Sequence, residues 1–121
     1  MTKEELEQLF SNLDIDANEG ITSDEVPDLT EITEDLENAT RCVYWDYNWQ
    51  PISASGNNYD TLVTYQISFF SFSVPRNNEK LKSFINELNK RDIQVNVSHE
   101  YIVNSKTWHS FFALEILESI F

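Results

Sequence analysis

The residues best spaced for chemistry lie near the N-terminus. Asp14, Asp16, Asn18, Ile21 and Glu25 take positions 1, 3, 5, 8 and 12 of an EF-hand-like calcium loop, and Phe10 and Leu13 supply the apolar side of an entering helix. Calcium takes about six to eight oxygen ligands, which carboxylates at these intervals and a bidentate final Glu provide. Two departures oppose that reading. The sharp turn at position 6 calls for Gly, yet Glu19 stands there and Gly20 comes one place late, and Pro27 cuts the exiting helix. EF-hands also usually pair, and there is no second loop of this kind. The segment reads as an acidic connector, with no metal and no other cofactor expected.

His99 and His109 fall in consecutive predicted strands. If Val103 pairs with Thr107, Tyr101 faces His109 and His99 faces Phe111, so the two imidazoles are diagonal neighbours without a third ligand. No Ser-His-acid or Cys-His pairing stands out, and two Gly in 121 residues leave no phosphate-cradling loop. The single Cys42 opens an apolar strand and reads as a small buried thiol. An enzyme is not expected.

The remaining functional chemistry is aromatic. Val43, Trp45, Tyr47 and Trp49 alternate with Tyr44, Asp46 and Asn48, which predicts a strand with one richly aromatic face. Such a face more often belongs to a core. Together with Tyr44, Tyr59, Ile120 and Phe121, however, it exceeds what a small monomer readily covers. Trp45, Tyr47, Trp49, Tyr59 and Phe121 are therefore the candidate protein-interface residues.

The elements that must position them follow from periodicity. Thr2 and Glu5 form a capping box ahead of Leu6, Phe10 and Leu13, predicting a short amphipathic helix over 3–13. Residues 14–40 read as irregular, with a short helix at about 28–37. After the strand at 41–49, the loop composition of 51–60 leads to a strand over 61–74, with a bulge expected near Phe69 and Phe70 because the apolar parity changes there. Pro75 ends it. Asn77 or Asn78 caps a helix in which Leu81, Phe84, Ile85 and Leu88 hold i, i+3, i+4 and i+7. Val95, Val97, Tyr101 and Val103, then Trp108, Phe112, Leu114 and Ile116, predict a closing hairpin. The expected fold is a single α+β domain over 1–121: a largely antiparallel or mixed sheet of about four strands with helices on one face, in the order α-β-β-α-β-β.

Charge divides the chain in two. Residues 1–40 hold 13 of the 21 carboxylates and only Lys3 among the cations, whereas residues 41–121 are nearly balanced and carry 15 of the 16 aromatic residues. Seven scattered cations cannot replace counterions along a phosphate backbone, so sequence-specific nucleic-acid binding is not expected. No apolar run reaches membrane-spanning length, and the N-terminus lacks the basic and apolar blocks of a signal peptide, so the expected site of synthesis and use is a cytoplasm. A sheet of about four strands has two open edges, which points to self-association through those edges or the C-terminal tail.

Several phrases resemble the tail terminator, or tail-to-head joining, proteins of long-tailed phages of Gram-positive hosts. They are Val43-Tyr44-Trp45-Asp46-Tyr47; Tyr59-Asp60 and Tyr65-Gln66-Ile67-Ser68-Phe69; His99-Glu100-Tyr101; and Phe112-Ala113-Leu114-Glu115. The resemblance covers the first helix and roughly the last two thirds of the chain. It implies a virion protein assembled in the host cytoplasm, a hexameric ring that caps the tail tube, ends its polymerisation and meets the head connector. The tail tube protein, the connector and further copies of the chain are the implied partners, and no catalyst is needed. The alternative is a small acidic inhibitor or immunity-type protein that masks a basic site by charge mimicry.

Overall fold

The computed structural model describes residues 1–20, 39–53 and 59–120. The helix expected at 28–37 lies outside them. Helix α1, Lys3–Asn12, starts where Thr2 Oγ1 accepts the Glu5 amide at 3.1 Å, with Glu4 and Glu5 in the first turn where the helix dipole favours them. Helix α2, Glu79–Lys90, follows a 3-10 turn over Pro75–Asn77 and is capped by Asn78, whose Oδ1 accepts the Leu81 amide at 3.2 Å. The same oxygen accepts the Thr40 hydroxyl at 3.2 Å, tying the start of the helix to the start of a strand.

Both helices stop the same way. Asp14 and Asp92 take left-handed backbones (φ 54° and 58°), and the next amides, of Ile15 and Ile93, reach back to the carbonyls of Phe10 and Leu88 at 2.9 Å. This is a Schellman stop built on Asp instead of Gly, with an isoleucine turned back onto the helix.

Five strands form one sheet in the order β1-β2-β3-β5-β4: β1 Asp16–Glu19, β2 Thr40–Ser53, β3 Tyr59–Ser71, β4 Ser98–Ile102 and β5 Thr107–Glu118. Strand β1 runs parallel to β2 and every other pair is antiparallel. The α+β class holds, and β1 is an addition to the expected order. It falls within the calcium-loop spacing: Asp14 sits at the stop of α1, Asp16 and Asn18 lie in a strand, and Ile21 and Glu25 are outside the described residues. The Asp16 carboxylate is held by Arg41 at 3.1 Å, and among the described residues no group of three or more acidic, His or Cys side chains converges to hold a metal.

Both helices lie on one sheet face. Leu6, Leu9 and Phe10 of α1 and Leu81, Phe84 and Leu88 of α2 close over Cys42, Tyr44, Val63, Tyr65, Ile67, Phe69, Phe112, Leu114 and Ile116. Phe84 is fully buried and stacks on Phe10 with centroids 5.0 Å apart, while Phe69 and Phe112 stand at 5.5 and 6.0 Å. Cys42 is buried as expected, and desolvation pushes its thiol well above the usual range, which keeps it protonated.

Three details of register differ from the sequence expectation. The bulge lies in β2, between Asp46 and Asn48, and β3 runs unbroken against β5. The parity change at Phe70 arises because β3 is central and has side chains buried on both faces: Phe70 joins Ala39 and Val43 on the helix-free face. The closing hairpin is shifted by one residue, since Ile102 and not Val103 pairs with Thr107, and β4 begins only at Ser98, with Val95 and Val97 packed against the core instead.

Candidate protein interface

The bulge decides where the aromatic residues of β2 go. Trp45 pairs with Gln66 and lies on the helix-free face, packed against the Ala39, Val43 and Phe70 cluster. Tyr47 is the extra residue of the bulge and is 59% exposed. Beyond it the parity is restored one residue late, so Trp49 pairs with Val63 and stands on the helix side, 51% exposed, its indole N–H donating to Asp46 Oδ2 at 2.6 Å. The single aromatic face Trp45, Tyr47, Trp49 therefore does not form, because a bulge inserts one residue and exchanges the faces. Tyr59 opens β3 opposite Ser53, its side chain outside the described residues, as is Phe121.

Exposed large apolar side chains gather at the two ends of the sheet. Ile52, Leu117 and Ile120 are at the end where β2 turns back into β3 and β5 finishes; Val74, Tyr101 and Val103 are at the opposite end, where β3 finishes and β4 turns into β5; Tyr47 and Trp49 lie between, Tyr47 at the middle of β2. A strand of 14 residues separates the ends by roughly 40 Å. The half of the sheet toward the first end also carries Asp60, Glu115 and Glu118, and the sequence has no Lys or Arg between residues 42 and 75 or after Lys106. Tyr65 reaches toward this end and donates to Glu118 Oε2 at 2.7 Å; burial, then that carboxylate, raises its phenol far above the ordinary value. The Thr61 hydroxyl, fully buried in the same region, has no hydrogen-bond partner among the described residues.

The one-residue shift in the closing hairpin assembles a relay that sequence reasoning missed. Glu100 pairs with His109, and both share the helix-free face with Ser68. His109 Nδ1 lies 2.8 Å from Glu100 Oε1 and Nε2 lies 2.9 Å from Ser68 Oγ. In the neutral ring Nδ1–H donates to the carboxylate and Nε2 accepts from the hydroxyl. The ring stacks on Phe70, centroids 4.5 Å apart and planes 3° from parallel. These are the contacts of an acid–histidine–serine relay, but Ser68 is fully buried in a central strand whose backbone is engaged by ladders on both sides. The hydroxyl is therefore enclosed and not presented at the surface. The arrangement acts as a clamp between β3, β5 and β4. His99 lies on the other face, hydrogen-bonded to Ser110 at 2.8 Å, so the two imidazoles do not converge. Its signal was the register itself, which residue types alone do not carry.

Along the outer side of α2, Pro75, Arg76, Leu81, Lys82, Ile85, Asn86, Val97 and His99 line a shallow cavity of about 330 Å³. Ile85 also lines a larger polar one, with Asn89, Asp92, Gln94, Val95 and Asn96. Neither brings together a nucleophile and a base. No family model matches the chain, and no curated protein or solved structure is significantly similar to it.

Proposed function

We propose that the chain is a structural assembly protein: a subunit of a ring, hexameric by the resemblance, that caps a phage tail tube, ends its growth and presents its far side to the head connector. The observation that carries this reading is that, Tyr47 and Trp49 apart, the exposed large apolar side chains gather at two ends of one long sheet, roughly 40 Å apart. A joining subunit must offer two separate surfaces to two partners, and large apolar groups left at a surface usually serve a protein contact. Ring closure uses a heterologous interface, in which one flank of each copy meets the other flank of the next. The β1 and β4 edges, on opposite flanks of the sheet, supply unlike surfaces for that. The role places the protein at the head-proximal end of the tail.

Masking of a basic partner by charge mimicry is the weaker reading. Three of the described leader carboxylates are already engaged within the fold: Glu5 with Arg91, Asp16 with Arg41 and Glu19 with Lys3. The deciding measurement is mass by light scattering over a wide concentration range, with and without purified tail tubes, and negative-stain images of any oligomer. A ring of about six copies, alone or on tube ends, is the expected result; a monomer that leaves tube ends uncapped overturns the proposal.

A further inference from the structure

The sheet has four stretches of open edge among the described residues, and three are blunted. Strand β1 is four residues long and carries Asp16 and Glu19. The outer edge of β2 beyond Tyr44 contains the bulge and Pro51, which has no amide to offer. Strand β4 is five residues long and ends in a turn. Strand β5 is different. Its partner β4 pairs only as far as Phe111, whereas β5 continues to Glu118 in unbroken register with β3. From Phe112 to Glu118 its outer side has no strand partner among the described residues, and it holds no Pro, no Lys and no bulge. Ala113, Glu115 and Leu117 along it are exposed.

We infer that the edge of β5 from Phe112 to Glu118 is a binding site for an extended segment of a partner protein that alternates basic and apolar residues and adds to the sheet as a sixth strand. Backbone pairing supplies the affinity and alternate side chains supply the selection. On the helix-free face the added strand lies beside Ala113, Glu115 and Leu117, so it meets one carboxylate and one exposed leucine. The same end of the sheet has Asp60 and Glu118, with no Lys or Arg in β3 or β5, and Lys3 near Glu118 is already held by Glu19, which favours Lys or Arg in the incoming segment. A second copy of β5 is a poorer occupant: an antiparallel pair centred on this stretch sets Glu115 against Glu115, and like charges directly opposite are destabilising. The inference deepens the assembly reading by naming a kind of partner, yet stands on the edge itself.

The test is titration of the full-length, isotopically labelled protein with the peptide acetyl-Thr-Lys-Val-Lys-Val-Lys-Thr-amide, followed by amide shifts and hydrogen exchange. The expected result is saturable shifts centred on 112–118 with slowed exchange of alternate amides there. Binding is expected to be about tenfold weaker for the same peptide with Glu in place of Lys, or with alternate amides N-methylated. Glu115→Lys, an exposed change that spares the core, reverses the preference between the two charged peptides. Absence of shifts at millimolar peptide, shifts elsewhere, or undiminished binding of the N-methylated peptide each overturns the inference. Protection of 112–118 that rises with protein concentration without peptide assigns the edge to a second copy and overturns it as well. Light scattering on the same samples reads the ring separately, so the two proposals can fail independently.

Discussion

Thr61 and Tyr65 show how the far end of β3 handles buried polar groups. The Thr61 hydroxyl is fully buried without a partner among the described residues, a state that costs the desolvation of the group. Thr61→Val keeps the shape and removes the orphan, so stability is expected to rise by about 1 kcal/mol in chemical denaturation. Tyr65 is the satisfied counterpart. Its phenol is raised by burial and by the hydrogen bond to Glu118, so the folded protein keeps the proton to a higher pH than the unfolded chain does. The stabilisation is complete below the ordinary tyrosine value of 10.0 and is lost as pH climbs above it. Tyr44 acts in the same direction, chiefly through burial. Tyr65→Phe is expected to cost about 1 to 2 kcal/mol at neutral pH and to lose less stability than the parent above about pH 10, read from denaturation midpoints against pH.

Among the elements, the β2 bulge has the clearest consequence. Deleting Tyr47 leaves Asp46 opposite Tyr65 and Asn48 opposite Thr64, a regular ladder in which every other residue keeps its partner. The expected change in folding stability is therefore small, about 1 kcal/mol or less, while the strand straightens and the exposed tyrosine is lost. A melting curve near that of the parent, together with a shift in the Trp49 fluorescence, is the outcome that fits. The two helices were legible in the sequence because Thr2 and Asn78 announce them and their apolar residues recur at helical spacing. The class followed from the alternating runs of β2 to β5. Strand β1 was not legible: Asp-Ala-Asn-Glu is poor strand material, and only the parallel ladder with Arg41–Tyr44 makes it one. The bulge was misplaced because a change of parity in a central strand buried on both faces looks the same in sequence as an inserted residue. Of the candidate site, the aromatics of β2 are legible in the sequence, but their separation onto two faces, and the Ser68–His109–Glu100 clamp, depend on shifts of one residue that patterning alone does not resolve.

The molecule as a whole is a long sheet with its core in the middle and apolar side chains at both tips. Helices α1 and α2 close the helix-side face from Cys42 to Ile116, and exposed apolar groups reappear where that cover ends. Were these residues a by-product of a small core, variants at either tip would behave alike. If the tips serve two partners, they separate. Ile52→Ser with Leu117→Ser alters one tip, and Val74→Ser with Val103→Ser the other; all four side chains are exposed, so neither pair is expected to shift the melting transition by more than about 1 kcal/mol. Each pair is expected to weaken binding to one partner, tail tube or head connector, by about tenfold or more, as loss of central apolar contacts does, while binding to the other stays unchanged. Pull-down and tube-length measurements on the two variants read this directly. Loss of both contacts in both variants would mean that the tips act only through the ring, and loss of neither would move the contacts to the flanks of the sheet, where β1 and β4 present opposite and chemically different edges.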